Sequence, residues 1–244
     1  MSSVHCKYWA VIPAAGVGRR FGGSHPKQYQ SLLGKPVACW TLERLLSLPD
    51  IEQCVVAIGR DDSYWPTLGL DNPRITTATG GAERADTVRL ALQALDGRAA
   101  EDDWVLVHDI ARPCVRPTDI AKLMQQLSNH PVGGLLAAPM ADTVKRVSGD
   151  NDVIATEDRR QLWSALTPQM FRYGTLRKAL ESAALNNIQP TDEASAIEQL
   201  GLIHKVIEGQ RDNIKITRAE DLAIAAAILL AQGEIEQKIQ EHQQ

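Results

Sequence analysis

A short stretch near the N-terminus combines the residue types that a phosphate-binding loop requires. It contains, in chain order, Gly16, Gly18, Arg19, Arg20, Gly22, Gly23 and Lys27. Glycine lets a backbone approach a ligand closely and present its N–H groups, and three cations suit a ligand that carries several negative charges. We therefore predict that this loop binds a triphosphate. The alternative is a glycine-rich turn whose basic side chains are simply solvated.

Two common phosphate-binding loops do not account for this stretch. The P-loop pattern, a glycine, four other residues and then Gly-Lys-Ser/Thr, is absent from it. A dinucleotide fingerprint begins at Gly16 and Gly18, but its sixth position is Phe21, where glycine or alanine is required. After the predicted strand Gln53–Ile58 the nearest acid, Asp61, is poorly placed to bind a ribose. These departures disfavour a nicotinamide-dependent oxidoreductase.

Composition excludes several further classes of function. The 244-residue chain has 26 basic and 30 acidic residues, and its net charge of −4 disfavours a broad nucleic-acid or membrane-binding surface. Its four cysteines show neither Cys-x-x-Cys spacing nor zinc-ligand intervals with histidine, which indicates reduced thiols. The chain has no apolar run of ~18 residues, and its first strand begins too early to leave room for a signal peptide. We therefore expect a cytoplasmic protein.

Short strands and helices alternate through the first half of the chain. The predicted strands are Tyr8–Ile12, Gln53–Ile58, Arg74–Ala78, Trp104–Val107 and Gly133–Ala138. Helical spacing of apolar residues separates them, as at Val88, Ala91, Leu92 and Leu95. A repeat of one strand and one helix every ~30 residues predicts a three-layer α/β fold with a mostly parallel, twisted sheet.

The alternation stops over residues 139–168, where we predict a β-arm that projects from a single domain covering residues 1–244. Its strand-like pieces are Thr143–Val147, Val153–Thr156 and Leu162–Ala165. A two-stranded ribbon is only marginally stable alone, so we expect the arm to pack on a second copy of the chain in a homodimer.

The remaining segments are predicted to return to the pattern of the main domain. Helices are expected over Phe171–Asn187, Asp192–Leu200 and Ala219–Ala231, and strands over His204–Ile207 and Asn213–Thr217. The last helix is apolar on nearly every side, which predicts burial against the sheet or a partner. The polar tail that follows it is expected to fray.

Charged residues follow several of the predicted strands, at the edge where parallel sheets bind ligands. They are Arg20 and Lys27 after the first strand, Arg84 after Gly80-Gly81, Asp109 and Arg112 after Trp104–Val107, and Asp212 and Lys215 at the late strand. Two carboxylates and at least five cations suit a phosphate-rich substrate with Mg²⁺, and Asp109 is the stronger metal-ligand candidate. Alternatively, Asp109 caps a turn, Asp212 is a turn residue, and the cations lie on a solvated surface. No pattern for a covalent nucleophile is present, and His108 is expected to be packed.

Eight motifs, in chain order, carry a resemblance to a known family. They are Pro13-Ala-Ala-Gly-Val-Gly-Arg-Arg20, Pro26-Lys-Gln-Tyr29, Gly80-Gly-Ala-Glu-Arg84, Val107-His-Asp-Ile-Ala-Arg-Pro113, Asp142-Thr-Val-Lys145, Leu166-Thr-Pro-Gln169, Thr191-Asp-Glu-Ala-Ser195 and Asp212-Asn-Ile-Lys215. With these motifs the chain resembles the 2-C-methyl-D-erythritol 4-phosphate cytidylyltransferases of non-mevalonate isoprenoid synthesis. The resemblance implies a Rossmann-like nucleotidyltransferase fold and a transfer of CMP from CTP to methylerythritol phosphate, with Mg²⁺ and release of pyrophosphate.

The resemblance also implies a role for individual residues. Arg20 and Lys27 would stabilise the transition state at the α-phosphorus, and Lys215 would position the attacking phosphate together with Arg159 from the neighbouring subunit's arm. The implied nucleotide-binding residues are Ala14, Ala15, Gly16, Gly18, Gly81, Thr87 and Asp109. The implied sugar-phosphate site comprises Asp109, Arg112, Thr143, Arg159, Thr167 and Lys215. The metal-ligand candidates remain the two acids at the strand ends, Asp109 and Asp212.

Three positions depart from the pattern of the family. Ala82 replaces an acid, Thr87 replaces a serine, and Ile110 replaces an alanine next to the predicted ribose site. Two alternatives to the implied activity remain open at this point. One is a cytidylyltransferase for another polyol phosphate, such as ribitol 5-phosphate, and the other is a non-catalytic nucleotide-binding subunit.

Overall fold

The computed structural model describes residues 6–16, 21 and 25–241. Its strands are β1 (Tyr8–Pro13), β2 (Ser31–Leu32), β3 (Lys35–Pro36), β4 (Ile51–Ile58), β5 (Ile75–Thr79), β6 (Trp104–Val107), β7 (Gly133–Pro139), β8 (Lys145–Val147), β9 (Val153–Thr156), β10 (Trp163–Arg172) and β11 (Lys205–Glu208). Its α-helices are α1 (Val37–Leu46), α2 (Arg84–Gln93), α3 (Pro117–Leu127), α4 (Tyr173–Leu185), α5 (Glu193–Gln199) and α6 (Asp221–Glu241). Short 3₁₀ turns cover Lys27–Tyr29, Trp65–Leu68 and Arg159–Gln161.

The described chain forms a seven-stranded sheet in the order β11-β7-β10-β6-β1-β4-β5. Strand β10 runs antiparallel to β6 and β7, whereas the other neighbouring strands are parallel. Buried apolar residues of α1 and α3 pack on one face of the sheet, and those of α2, α4 and α5 pack on the other. The predicted three-layer, mostly parallel α/β fold is therefore confirmed.

Burial of the central strands on both faces explains why their sequences are continuous apolar runs. Val11 of β1 lies opposite Val55 of β4 and Val107 of β6, and all three side chains are fully buried. Strands that are covered on both faces need no polar alternation. Because these strands are parallel and in register, their carboxyl ends lie along one edge of the sheet, and the loops that follow them meet there.

Two predicted boundaries are wrong in the second half of the chain. The piece Leu162–Ala165 does not belong to a separate ribbon, because Trp163–Arg172 forms one long strand that joins the main sheet between β6 and β7. The helix predicted from Phe171 begins at Tyr173, because Phe171 is still paired with Val105 and Gly133. A single-sequence pattern does not reveal an antiparallel strand that follows an excursion.

The predicted strand Asn213–Thr217 is also wrong, since the structure describes all five residues and assigns no strand to them. Individual hydrogen bonds hold this segment: the N–H of Ile216 donates to the carbonyl of Ala111, and the side chain of Asn213 donates to the carbonyl of Thr167. Ile214 and Ile216 pack with residues of α6, which explains their alternation without a sheet.

Helix α6 also continues past the predicted end at Ala231 and reaches Glu241, so its backbone does not fray where the polar tail begins. The residues after Ala231 are mainly good helix formers, and no proline interrupts them. Within the described ranges, no helix is both long and apolar enough to cross a membrane.

Strands β8 and β9 pair with each other as an antiparallel ribbon between β7 and β10. The residues of both strands are exposed, including the apolar side chains of Val147, Val153 and Ile154. Leu162 and Trp163, where the chain returns to the main sheet, are exposed as well. This ribbon and its flanking residues between β7 and β10, 140–162, are called the arm below.

Candidate active site

A cavity of about 260 Å³ opens where the loops after β1, β5 and β6 meet. Nine of the residues predicted from sequence line it: Ala14, Ala15, Gly16, Lys27, Gly81, Arg84, Thr87, Asp109 and Lys215. The close approach of two of these loops depends on Gly80, because a Cβ atom there would lie 2.4 Å from the Cβ of Ala15. The shape of the cavity therefore follows directly from the glycine pair after β5.

Side-chain hydrogen bonds hold the backbone on the apolar side of the cavity. The Nε2 of Gln28 donates to the carbonyls of Ala14 at 3.0 Å and Gly16 at 3.2 Å. The hydroxyl of Thr87 accepts from the N–H of Gly81 at 3.1 Å and donates to the carbonyl of Glu83 at 2.9 Å. Thr87 thus fixes the loop that contains Ala82. A threonine can replace serine at this position because both residues carry the hydroxyl that makes these two hydrogen bonds.

Asp109 is the centre of the charged side of the cavity. Its Oδ1 lies 3.0 Å from the Nε of Arg84, and its Oδ2 lies 2.8 Å from the Nζ of Lys215 and 3.5 Å from the Nε of Arg112. Burial alone would raise the pKa of Asp109, but the charges of Arg84, Lys215 and Arg112 outweigh it and hold the pKa well below its usual range. The carboxylate is therefore ionised at neutral pH and orients three cations.

Arg84 is itself fixed by Glu193, a residue that the sequence reasoning did not single out. Its two terminal nitrogens donate to the two carboxylate oxygens of Glu193 at 2.7 and 3.0 Å. Glu193 is only 1% exposed and begins α5, directly after Asp192, which caps that helix together with Ser195. The motif Thr191-Asp-Glu-Ala-Ser195 could have indicated the role of Glu193 in the sequence. A capping box fixes the start of a helix and therefore the position of an acid at its first residue.

Lys27 and Lys215 reach the same wall of the cavity from opposite ends of the chain. The Nζ of Lys27 donates to the carbonyl of Ile216 at 2.7 Å, next to Lys215. This segment is joined to the loop after β6, because Arg112 donates to the carbonyl of Asn213 at 2.7 Å and Ile216 donates to Ala111 at 2.9 Å. Long-range hydrogen bonds therefore replace the strand that was predicted to position Lys215.

Thr167 lies in the layer beneath Asp109 rather than among the residues that line the cavity. Its Oγ1 is 2.9 Å from the Nδ1 of His108 and accepts from the N–H of Asp109 at 3.2 Å. Burial lowers the pKa of His108 to about 4, so the ring is neutral, and its Nε2 carries the proton because it faces the carbonyl of Arg112. The Thr167 hydroxyl must then donate to Nδ1. His108 is packed, as expected, and Thr167 anchors the backbone of Asp109.

Several other predicted site residues do not meet at the cavity. Thr143 and Arg159 are exposed on the arm. Asp212 does not line the cavity. Its Oδ2 instead accepts hydrogen bonds from the side chains of Arg116 and Gln232. Arg20 and Gly18 lie outside the described residues.

The donor atoms at the cavity fit a metal ion only in part. Within the described ranges, no group of three or more His, Cys, Asp or Glu side chains is arranged to hold a metal ion. Asp109 lines the cavity as an ionised carboxylate, and Mg²⁺ typically takes one or two carboxylates and completes its shell with substrate phosphates and water. Asp109 therefore suits a Mg²⁺ ion that a triphosphate also holds, whereas Asp212 is committed to Arg116 and Gln232.

Comparison with known proteins bears directly on this arrangement. Residues 8–231 match the family model of IspD, 2-C-methyl-D-erythritol 4-phosphate cytidylyltransferase. The chain belongs to this family. It is thus a nucleotidyltransferase enzyme of the cytidylyltransferase type, as the motifs predicted.

Individual relatives are similar in sequence to this chain over most of its length. The 2-C-methyl-D-erythritol 4-phosphate cytidylyltransferase of Hahella chejuensis is 47% identical over 224 residues, which cover 91% of this chain and 93% of the relative. That of Pseudomonas putida strain GB-1 is 50% identical over 217 residues, or 88% and 92% of the two chains. A crystal structure of the Francisella tularensis enzyme superposes with a TM-score of 0.79 at 37% identity and covers 91% of this chain and 99% of that one. The predicted family and fold class are therefore confirmed.

Proposed function

We propose that this enzyme transfers CMP from CTP to the phosphate of 2-C-methyl-D-erythritol 4-phosphate and releases pyrophosphate. The observation that carries the proposal is the pairing, in one cavity, of a fixed backbone loop with a cluster of cations around Asp109. The names of the relatives point to the same acceptor and the same transferred group.

The nucleoside end of CTP is assigned to the backbone side of the cavity. Ala14, Ala15, Gly16 and Gly81 line this side and present few side-chain atoms, so main-chain groups would contact the base and ribose. Cytosine carries an amino donor where uracil carries a carbonyl acceptor, and backbone carbonyls and N–H groups can distinguish the two. Ile110 lines the same cavity and would limit the space beside the ribose.

The triphosphate end is assigned to the cations. A phosphate dianion needs no general base to attack, so the barrier comes from repulsion between anions and from charge that develops on the phosphorane and the leaving group. Lys27, with Arg20 from the same loop, would stabilise that charge, and Lys215 would hold the attacking phosphate in line. Asp109 keeps Lys215, Arg84 and Arg112 oriented before substrate binds, which reduces the reorganisation required during the reaction.

Asp109 is also the residue that would contact Mg²⁺. When bound, the ion would neutralise part of the charge on the triphosphate and on the departing pyrophosphate. The neighbouring cations limit how much positive charge this site can add, which favours an ion held mainly by the phosphates.

The arm is assigned to a homodimer interface in which it completes the partner's site. Exposed apolar side chains on a ribbon that is only marginally stable alone support a second chain as its contact. In this assembly Arg159 and Thr143 would reach the sugar phosphate bound by the partner. Both residues are exposed in the single chain, where they are available for such a contact.

An assay of pyrophosphate release with CTP and a panel of acceptors tests the proposed reaction. We expect release with methylerythritol phosphate, and at least tenfold slower release with ribitol 5-phosphate or when UTP replaces CTP, in keeping with a lost buried hydrogen bond (~1.4 kcal/mol or more). Faster release with ribitol 5-phosphate would identify the other polyol-phosphate activity. Tight CTP binding without release for either acceptor would identify a non-catalytic nucleotide-binding protein.

A further inference from the structure

Three successive residues of the 3₁₀ turn Lys27–Tyr29 contact three different parts of the molecule. Lys27 reaches the carbonyl of Ile216 in the wall that carries Lys215, Gln28 reaches the loop after β1, and Tyr29 reaches Asp62 in the loop after β4. A 3₁₀ helix has three residues per turn, so consecutive side chains point about 120° apart. The turn can therefore connect Lys27 to two other loops at once.

Gln28 fixes the turn against the loop after β1. The side chain is 3% exposed, and its Nε2 donates to the carbonyls of Ala14 and Gly16. The orientation of the amide is determined by these contacts, because a flipped amide would place its oxygen against two carbonyl oxygens. Two hydrogen bonds from one buried group define the distance between the turn and the backbone that lines the cavity.

Tyr29 fixes the other side of the turn. Its ring is 5% exposed, and its hydroxyl donates to the Oδ2 of Asp62 at 2.6 Å. The other oxygen of Asp62 accepts from the N–H groups of Tyr64 and Trp65, both at 3.0 Å, so the acceptor is itself held. The rings of Tyr29 and Tyr64 stack with centroids 5.4 Å apart, and His25 packs edge-on against Tyr64 at 4.5 Å. The turn is thus attached to a loop whose position the sheet determines.

The turn has little internal stability of its own. Its backbone hydrogen bonds run from Tyr29 to Pro26 at 3.0 Å and from Gln30 to Lys27 at 3.3 Å, and no side chain caps its start. A 3₁₀ segment this short has poor hydrogen-bond geometry and does not persist without external contacts. The direction of Lys27 must therefore come from its neighbours.

We propose that Gln28 and Tyr29 are positioning residues for Lys27, and that their contacts with the Ala14–Gly16 loop and with Asp62 hold the lysine ammonium at the reacting phosphate. The proposal rests on the role assigned to Lys27 above. It adds a specific cause for the activity of that lysine: its place is set by hydrogen bonds of the two residues that follow it, Gln28 at the edge of the cavity and Tyr29 outside its lining.

Two substitutions remove the contacts with little change in volume. Tyr29→Phe deletes the hydroxyl and keeps the stacked ring, and Gln28→Met deletes the amide and keeps the length of the side chain. We expect each to lower kcat about tenfold to a hundredfold, since a lost buried hydrogen bond leaves its partner unsatisfied and displaces the reacting group. Gln28→Met should also raise the KM for CTP, because Gln28 holds the nucleotide loop.

The same chemical changes away from the cavity serve as matched controls. The Tyr173 hydroxyl donates to Asp96, and the Nε2 of the buried Gln232 donates to the carbonyl of Cys114. Tyr173→Phe and Gln232→Met therefore remove comparable hydrogen bonds from other helices. They should lower thermal stability to a similar extent while kcat stays within about twofold of wild type.

The decisive measurement repeats Tyr29→Phe and Gln28→Met in a Lys27→Ala background. If they act through Lys27, their effect on kcat should disappear there, because no ammonium remains to be positioned. Equal losses of kcat in both backgrounds, or no loss in either, would overturn the positioning roles. A normal kcat for Lys27→Ala alone would overturn the role of Lys27 itself and the positioning proposal with it, so the two failures are distinguishable.

Discussion

The cavity and the arm both carry arginine–carboxylate pairs, but the surroundings of these pairs differ. The side chain of Arg84 contacts Glu193 and Asp109, whose own side chains are 1% and 9% exposed. On the arm, the pair formed by Arg160 and Asp158 is 86% and 60% exposed. Exposed ion pairs contribute little to stability and restrict side chains weakly, whereas buried ones with several hydrogen bonds fix their members. Ion pairs within one chain thus order the cavity, whereas the exposed pair on the arm restricts its members only weakly.

The largest expected effect comes from Lys27, which belongs to the ordered region. Lys27→Ala should lower kcat about a thousandfold, because a cation aimed at developing charge on the phosphorus is lost. Its thermal unfolding should match wild type, and Lys122→Ala, which alters an exposed lysine that donates to the carbonyl of Glu208, serves as the control. Near-normal turnover of Lys27→Ala would remove this lysine from the reaction.

Asp109→Asn tests whether the cavity is ordered by its central charge. Removing the charge takes the carboxylate away from Arg112 and Lys215 and leaves Arg84 with Glu193 alone, so the free energy of unfolding at pH 7 should fall by about 3 kcal/mol. Because the folded-state pKa lies below the ordinary value of about 3.9, this stabilisation is present above that pH and is lost below it. Denaturant titrations at pH 7 measure the change, and Asp158→Asn on the arm should have no measurable effect. Equal stability of the two variants would contradict the contrast between the regions.

His108 gives the ordered region a specific dependence on pH. Its folded-state pKa of about 4 lies below the value in an unfolded chain, so the unfolded state takes up a proton that the folded state excludes. The free energy of unfolding should therefore fall as the pH drops from about 6.5 towards 4, by roughly 2 kcal/mol from this residue. In His108→Gln, the loss of free energy of unfolding over this pH range should be smaller by that amount. An equal loss in the variant and the wild type would show that the ring is not held neutral.

Substitution of Arg159 tests the arm. We expect it to leave the free energy of unfolding almost unchanged and to weaken binding of the sugar phosphate. Arg159→Ala should raise the KM for methylerythritol phosphate about tenfold through the loss of one charge-assisted contact, with the KM for CTP unchanged. Arg160→Ala, at the adjacent exposed position, is the matched control. Unaltered steady-state parameters for Arg159→Ala would exclude it from the site.

The sequence was sufficient for features that depend on local pattern. Apolar runs such as Trp104–Val107 identify strands, and a charged residue directly after one, such as Asp109, falls at the carboxyl edge of a parallel sheet. Glu193 and Thr167 were harder to interpret, because their roles come from hydrogen bonds to Arg84 and His108 across 109 and 59 residues of chain. Asn213–Thr217 resembled a strand because packing against α6 produced the same alternation. Side-chain contacts between distant segments leave no periodic signal.

The most direct measurement is a subunit-mixing assay of pyrophosphate release. Lys27→Ala and Arg159→Ala variants are each purified alone and also co-expressed, so that mixed dimers form. If each site uses Lys27 of one chain and Arg159 of its partner, half of the dimers are mixed and one of their two sites is intact. With methylerythritol phosphate well below the wild-type KM, where Arg159→Ala alone is about tenfold less active, the co-expressed protein should retain about a quarter of wild-type activity. Co-expression of Lys27→Ala with Lys215→Ala should give no recovery, because both lysines come from the same chain. Activity no greater than the average of the separately purified Lys27→Ala and Arg159→Ala variants would contradict a site shared between the cavity of one subunit and the arm of the other.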